Sequence, residues 1–107
     1  MIQSSGLGVR IDFSHVPFLT HAREYAVTMN FPGGAYDNRE FFGPHVRFDP
    51  RLDEASQMLL FDSQTSGGLL LAVPAEKMRA FRRRSTQLGQ PVWEIGRVTD
   101  RNQIDVI

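Results

Sequence analysis

Apolar and polar residues alternate near both ends of the chain and once near its middle. In residues 8–13, apolar side chains occupy every second position, with charged side chains between them. This two-residue period is typical of a strand with one buried face. The same pattern predicts strands near residues 46–48, 92–98 and 104–107, and a polar turn separates the last two.

Apolar residues repeated at three- and four-residue steps predict three helices between these strands. Ser14 can cap the first helix, and Asn30 can end it in a left-handed conformation. Asp49, followed by a proline, marks the start of the second helix. The third helix begins at Pro74 and ends at Gly89.

Two further segments complete the predicted fold. Leu69–Val73 is an unbroken apolar run, and its length and its glycine and proline flanks favour a central strand covered on both faces. Residues 30–38 are predicted to form a loop, because a proline and two adjacent glycines occur there. The order of elements predicts an α+β fold, an α/β sandwich with one mixed sheet and its helices mainly on one face.

The composition limits the class of protein. A length of 107 residues fits one domain, 1–107, in which residues 1–7 are expected to be a disordered or truncated start. Hydrophobic residues make up 41% and charged residues 22%, as in ordinary globular domains. The formal net charge of zero argues against a nucleic-acid or membrane-surface binder.

Several kinds of chemistry are absent from the sequence. The chain has no cysteine, which excludes a thiolate zinc site and a cysteine nucleophile. No apolar stretch approaches the roughly 20 residues that span a bilayer. The first residues lack the pattern of a signal peptide, so a cytoplasmic location is expected.

Residues 61–70 carry the most specific motif. They read Phe-Asp-Ser-Gln-Thr-Ser-Gly-Gly-Leu-Leu, and a Val-Pro pair follows shortly after. This stretch resembles a run typical of the selenophosphate synthetase family, in which a proline stands at the position of Ser63. The resemblance continues, in order and spacing, at residues 32–34 and in the closing segment 91–98. Several ordered motifs are far more specific than a single glycine pattern.

The resemblance implies the carboxy-terminal domain of a selenophosphate synthetase, within the AIR synthase-related superfamily. Such an enzyme converts selenide, ATP and water into selenophosphate, AMP and phosphate. ATP and Mg²⁺ would serve the full-length enzyme, and no cofactor is expected on this chain alone. The family's nucleophilic cysteine or selenocysteine, its essential lysine and most of its magnesium-binding aspartates lie in the amino-terminal half and have no counterpart here. The chain is therefore expected to line the nucleotide cleft without being catalytic alone.

The resemblance also implies partners. They are an amino-terminal AIR synthase-like domain and, in the full-length form, a second copy in a homodimer; neither nucleic acid nor a membrane is expected. A different class of function remains open, namely a free-standing domain of the same fold that binds a ligand or a protein without catalysis.

Two glycine-containing segments are the candidate nucleotide-facing parts. Backbone N–H groups near Gly67 and Gly68, with the hydroxyls of Thr65 and Ser66, could cradle a phosphate. The alternative is that the glycines only turn the chain tightly. Ala35 stands where the family usually has threonine, so any hydroxyl contact from that position is lost. The candidate residues are Gly33, Gly34, Asn38, Asp62, Gln64, Thr65, Ser66, Gly67 and Gly68.

The remaining polar residues favour structural roles. His15, His21 and His45 do not share a metal-ligand spacing, so no metal site is predicted. Residues 82–84 are three consecutive arginines. On a predicted helix their side chains point in different directions around the axis and do not share one face, which indicates a solvated surface.

Overall fold

Four short strands form one mixed sheet in the structure, a computed structural model that describes residues 2–107. The strand order is β2-β4-β1-β3, with β1 antiparallel to β3 and parallel to β4, and β2 parallel to β4. The strands are β1 Gly8–Ile11, β2 Val46–Phe48, β3 Gly96–Thr99 and β4 Ile104–Val106. The predicted α+β fold with one mixed sheet is confirmed.

Five helices accompany the sheet in the described part of the chain. They are α1 Ile2–Ser5, α2 Ala22–Val27, α3 Gly33–Phe42, α4 Glu54–Leu59 and α5 Met78–Gln87. Short 3₁₀ turns occupy Phe13–His15, Gly43–His45 and Ala75–Lys77. No helix within residues 2–107 is long and apolar enough to cross a membrane.

The core lies between one face of the sheet and the central helices. Phe48 on β2 meets Phe61, just after α4, with ring centroids 5.8 Å apart. Val106 is the register partner of Phe48, so its side chain lies on the same face and is also buried. The buried apolar residues are Phe13, Ala26, Ala35, Met58, Phe61 and Val106.

The first helix begins later than predicted. The Asp12 carboxylate accepts hydrogen bonds from the backbone N–H of Ser14, at 2.9 Å, and from its hydroxyl, at 2.7 Å. Ser14 therefore lies inside a 3₁₀ turn capped by Asp12, and the prediction that Ser14 caps the helix is wrong. The left-handed residue at the end of α2 is Met29, with φ 54°, and not Asn30.

The second helix also begins later than predicted. Asp49 accepts from the backbone N–H of Arg51 at 2.9 Å and closes a turn, and hydrogen bonds from Arg51 lower the pKa of Asp49 to about 2. The cap of α4 is Asp53, whose carboxylate accepts from the Ser56 amide at 2.7 Å. That hydrogen bond lowers the pKa of Asp53. Asp49 and Asp53 could both cap a helix by their chemistry. Only Asp53 accepts from a backbone amide three residues later, and it is therefore the cap.

The prediction of a central strand at Leu69–Val73 is wrong. The side chain of Leu69 is 88% exposed, and no backbone hydrogen bond found within the described chain involves residues 62–73. The central positions of the sheet are taken by β4 and β1, and the apolar run lies outside the sheet without regular secondary structure. Likewise, residues 92–95 lie outside the sheet, and the strand predicted there begins at Gly96.

The disordered or truncated start expected for residues 1–7 stays a prediction. Residues 2–5 form the single turn α1, and β1 follows at Gly8. Met1 lies outside the described residues. At the far end of the chain, Gly89 follows α5 with φ 62°, which confirms its predicted role as the helix stop.

Candidate functional site

The first predicted segment, residues 30–38, is not a loop over its whole length. Pro32 precedes α3 in an extended conformation, and Gly33 and Gly34 form the first turn of that helix. Amides in the first turn of a helix lack partners within the helix and carry its partial positive charge. The glycine pair therefore presents backbone N–H groups at the start of α3.

The two glycines have different surroundings. A Cβ atom at Gly34 would lie 2.8 Å from the Oγ of Ser63 and 3.1 Å from its Cβ, whereas a Cβ at Gly33 would meet nothing within 4 Å. The segment after Phe61 therefore packs directly on the first turn of α3. A Cβ at position 34 would force the Ser63 side chain to shift, whereas position 33 is open.

Asn38 makes the second connection between the two candidate segments. Its side-chain N–H group donates a hydrogen bond of 2.9 Å to the backbone carbonyl of Phe61, and Asn38 is partly buried. The amide of Asn38 thus holds the start of the loop 62–68 against α3. The structure brings together Gly34, Asn38 and the Phe61–Ser63 end of the loop, although they are more than 20 residues apart in the sequence.

The rest of the loop is open. Asp62 is half-buried, and Gln64, Thr65, Ser66, Gly67 and Gly68 are all exposed. The Gln64 amide lies 3.4 Å from the Asp62 carboxylate, which is a weak contact. Neither Gly67 nor Gly68 has a positive φ, and no strand follows them, so they are not the strained turn into a buried strand that the alternative proposed. Their backbone N–H groups make no hydrogen bond to another backbone group within the described residues.

Position 35 does not face this opening. Ala35 is fully buried, so a hydroxyl at this position would lie inside the protein. In this chain alanine replaces the family's threonine at a buried position, so the replacement affects the packing of the core.

Charged groups do not assemble into a metal site in the described residues. No group of three or more His, Asp or Glu side chains lies close enough to hold a metal ion within residues 2–107. His21 instead lies 3.0 Å from Glu24, and His15 lies 3.8 Å from Asp12. The residues that the structure describes therefore offer no cluster of acids that would fit a Mg²⁺ ion.

Sequence reasoning missed the role of Ser63 as the residue that contacts Gly34. Its only signal in the sequence is that serine replaces the proline expected from the resemblance. It also missed the ion pair between Arg82 and Glu94, because those residues are distant in sequence; Arg82 is therefore not simply solvated.

The substitution Gly34→Ala is expected to destabilise the chain, because its new Cβ would press on Ser63 and displace the loop from α3. Gly33→Ala is the matched control. It adds the same atom in open space and restricts the unfolded chain, so a gain of about 0.4–1 kcal/mol in unfolding free energy is expected. Urea denaturation of the two variants measures this difference. An equal gain for both variants would show that the loop does not press on α3.

The fold and the joined segments define a carboxy-terminal domain of the AIR synthase related class. The family model described as "AIR synthase related protein, C-terminal domain" matches residues 1–107, and the chain belongs to this family. Within it, the chain is similar to proteins named selenide, water dikinase, which confirms the resemblance found in the motifs.

Three such relatives illustrate the similarity. The protein from Pelobacter propionicus is 49% identical over 73 residues, which are 68% of this chain and 21% of the relative. The protein from Caldanaerobacter subterraneus is 36% identical over 107 residues, 99% of this chain and 31% of the relative. The protein from Carboxydothermus hydrogenoformans is 38% identical over 92 residues, 86% of this chain and 27% of the relative. The chain thus spans less than a third of the length of these curated relatives.

Proposed function

We propose that this chain acts as the carboxy-terminal domain of a selenophosphate synthetase, which makes selenophosphate, AMP and phosphate from selenide, ATP and water. In this proposal the first turn of α3 and the loop 62–68 line the nucleotide cleft, and the chain is not catalytic alone. The observation that carries the proposal is the junction of Gly34 and Asn38 with Phe61 and Ser63. It joins the two motif segments that the chain shares in pattern with this family.

The chemistry of the joined segments suits phosphate. The start of α3 offers a partial positive charge and unpaired N–H groups, and phosphates bind at such helix starts. The exposed loop adds the hydroxyls of Thr65 and Ser66 and the backbone N–H groups of Gly67 and Gly68. Donors of both kinds form short hydrogen bonds to anionic oxygens. These residues would hold phosphate groups of ATP, while the Mg²⁺ ligands and the reactive groups would come from the rest of the enzyme.

The exposed apolar run supports a partner domain. Leu69, Leu70 and Leu71 are all exposed, and their backbone groups make no hydrogen bond within the described chain. Contiguous exposed apolar side chains mark interaction surfaces, and an unpaired extended segment can add to a partner's sheet. In the complete enzyme, an amino-terminal AIR synthase-like domain would cover this run. The complete enzyme would be a cytoplasmic homodimer.

Hydrogen exchange in a chimeric enzyme tests the cleft assignment. In the chimera, residues 1–107 replace the segment that they match in the Caldanaerobacter relative. Addition of Mg-ATP is expected to slow amide exchange at residues 33, 34 and 62–68, because bound phosphates would occupy N–H groups that have no backbone partner in the described chain. Helix α5 serves as the internal control and should be unaffected. Protection confined to other segments would contradict the assignment.

A further inference from the structure

The strand register places four charged residues in one row across the sheet. Arg47 on β2 is the partner of Asp105 on β4, Asp105 is the partner of Arg10 on β1, and Arg10 is the partner of Arg97 on β3. Register partners on neighbouring strands point to the same face of a sheet. The row, here called the arginine row, therefore lies on a single face.

The arginine row lies on the face opposite the core. Successive residues of a strand point to opposite faces, so Arg47 points away from the face of Phe48, which packs on Phe61. Arg10 and Arg97 are exposed, and the side chain of Arg47 is 62% exposed. The loop 62–68 follows Phe61, which packs on the core face of the sheet. The candidate nucleotide site is therefore connected to the core face, and the arginine row lies on the other face.

Of the three arginines in the row, Arg47 forms an ion pair within residues 2–107, and the other two do not. The Asp105 side chain is only 8% exposed, and its carboxylate accepts a hydrogen bond of 2.8 Å from the Nε of Arg47. Arg10 and Arg97 make no ion pair and no side-chain hydrogen bond within residues 2–107. The row therefore carries two positive charges without internal partners.

These two arginines face each other across an antiparallel strand pair. The backbone N–H of Asp12 donates to the carbonyl of Ile95, so residues 12 and 95 form a hydrogen-bonded pair. Such pairs recur at every second position of an antiparallel ladder, so Arg10 and Arg97 form another one. The Cα atoms of such a pair are about 5.5 Å apart. Like charges directly opposite each other destabilise a sheet. Two guanidinium groups at this spacing repel each other, and an anion bound between them would offset that repulsion.

We propose that Arg10 and Arg97 together bind one phosphate group on the face of the sheet opposite the core. Each guanidinium carries a planar fork of donors that fits two phosphate oxygens, and a shared dianion would offset the repulsion between them. The Asp105 carboxylate limits the favourable region to the β1–β3 edge, because it would repel a longer polyanion that extended along the row. Together with the formal net charge of zero, this favours a single phosphate, free or as a small ester, over nucleic acid.

Titration of the chain with inorganic phosphate and with adenosine monophosphate tests this site, at pH 7.5 and at an ionic strength held constant with sodium chloride. Backbone amide shifts of residues 9–11 and 96–98 are expected to move and saturate. Arg10→Gln and Arg97→Gln are each expected to weaken binding roughly 10-fold or more, because hydrogen bonds to a charged group are lost. Arg83→Gln, an exposed arginine on α5, is the control and should bind as the unsubstituted chain does. Binding of only one of the two ligands would distinguish a free phosphate from an ester.

A thermal measurement provides the second arm. Without phosphate, Arg97→Gln is expected to raise the melting temperature, because it removes the repulsion with Arg10 at the edge of the sheet. Phosphate should raise the melting temperature of the unsubstituted chain, because it binds the folded form. It should raise the melting temperature of the Arg97→Gln variant only by the general effect of salt, which the two proteins share. Equal phosphate responses in the unsubstituted chain, Arg97→Gln and Arg83→Gln would overturn the proposal. So would phosphate-induced shifts that avoid β1 and β3.

Discussion

Met58→Ala is expected to lower the free energy of unfolding by about 2–5 kcal/mol. The side chain of Met58 has no exposed surface, and it lies on α4, which packs on α2. Its removal would leave a cavity in the layer that supports both Phe61 and the loop after it. Domains of this size are stable by only about 5–15 kcal/mol, so this single change would remove a large fraction of the total. Urea denaturation followed by circular dichroism measures the loss.

Met78→Ala is the matched control for this substitution. It makes the same chemical change at a half-buried position at the start of α5, where solvent already reaches the side chain. Its loss of stability should be distinctly smaller. If Met78→Ala were as damaging as Met58→Ala, the core would not be centred on α4.

Removal of two hydroxyls from the loop is expected to have the largest effect on nucleotide binding. The double variant Thr65→Val with Ser66→Ala, made in the chimeric enzyme, should raise the KM for ATP by roughly 100-fold or more, since two hydrogen bonds are lost. The reason is that a hydrogen bond to a charged phosphate contributes about 1.5–3 kcal/mol. Both residues are exposed and neither makes a hydrogen bond within the described chain, so the melting temperature should not change. Steady-state kinetics with varied ATP measures the effect.

The control for this variant is Thr20→Val, at an exposed threonine outside the two joined segments. It should leave the KM for ATP unchanged. An unchanged KM in the double variant, with Thr20→Val also neutral, would exclude the hydroxyls from nucleotide binding. A parallel fall in melting temperature would instead assign them a structural role.

The strands were predictable where alternation is strong and both ends of the segment are marked. β1, β2 and β4 lie within the alternating segments, because their apolar residues line the face that Phe48 and Val106 share. The apolar run at Leu69–Val73 has a stronger tendency to be buried than any of them. Burial also requires a partner strand, and pairing is a long-range property that the local pattern does not contain.

Helix limits were predicted poorly where several polar residues could serve as caps. Ser14 and Asp49 have the chemistry of caps, but the hydrogen bonds go from Ser14 to Asp12 and from Arg51 to Asp49. The glycine pair at residues 33 and 34 led to a loop prediction where the structure has a helix. Gly33 and Gly34 are typical of a loop, and here they form the first turn of α3. The close approach of Ser63 explains the small residue at position 34, and that contact is not visible in the local sequence.

The candidate site was predicted as two segments of sequence, and their contact was not. The motifs mark residues 33–38 and 62–68, but the link depends on a backbone carbonyl, that of Phe61, which no residue pattern can indicate. The arginine row was missed for the same reason. Arg10, Arg47 and Arg97 are isolated in sequence, and only the register of three strand pairs places them together.

Selenide-dependent formation of AMP from ATP is the measurement that tests the central claim most directly. The chimera, in which residues 1–107 replace the matching segment of the Caldanaerobacter relative, is predicted to form AMP when selenide and Mg-ATP are supplied. The isolated chain is predicted to form none under the same conditions, because no group of acids within residues 2–107 lies close enough together to hold the metal. An inactive but folded chimera, or selenide-dependent AMP formation by the isolated chain, would contradict the account.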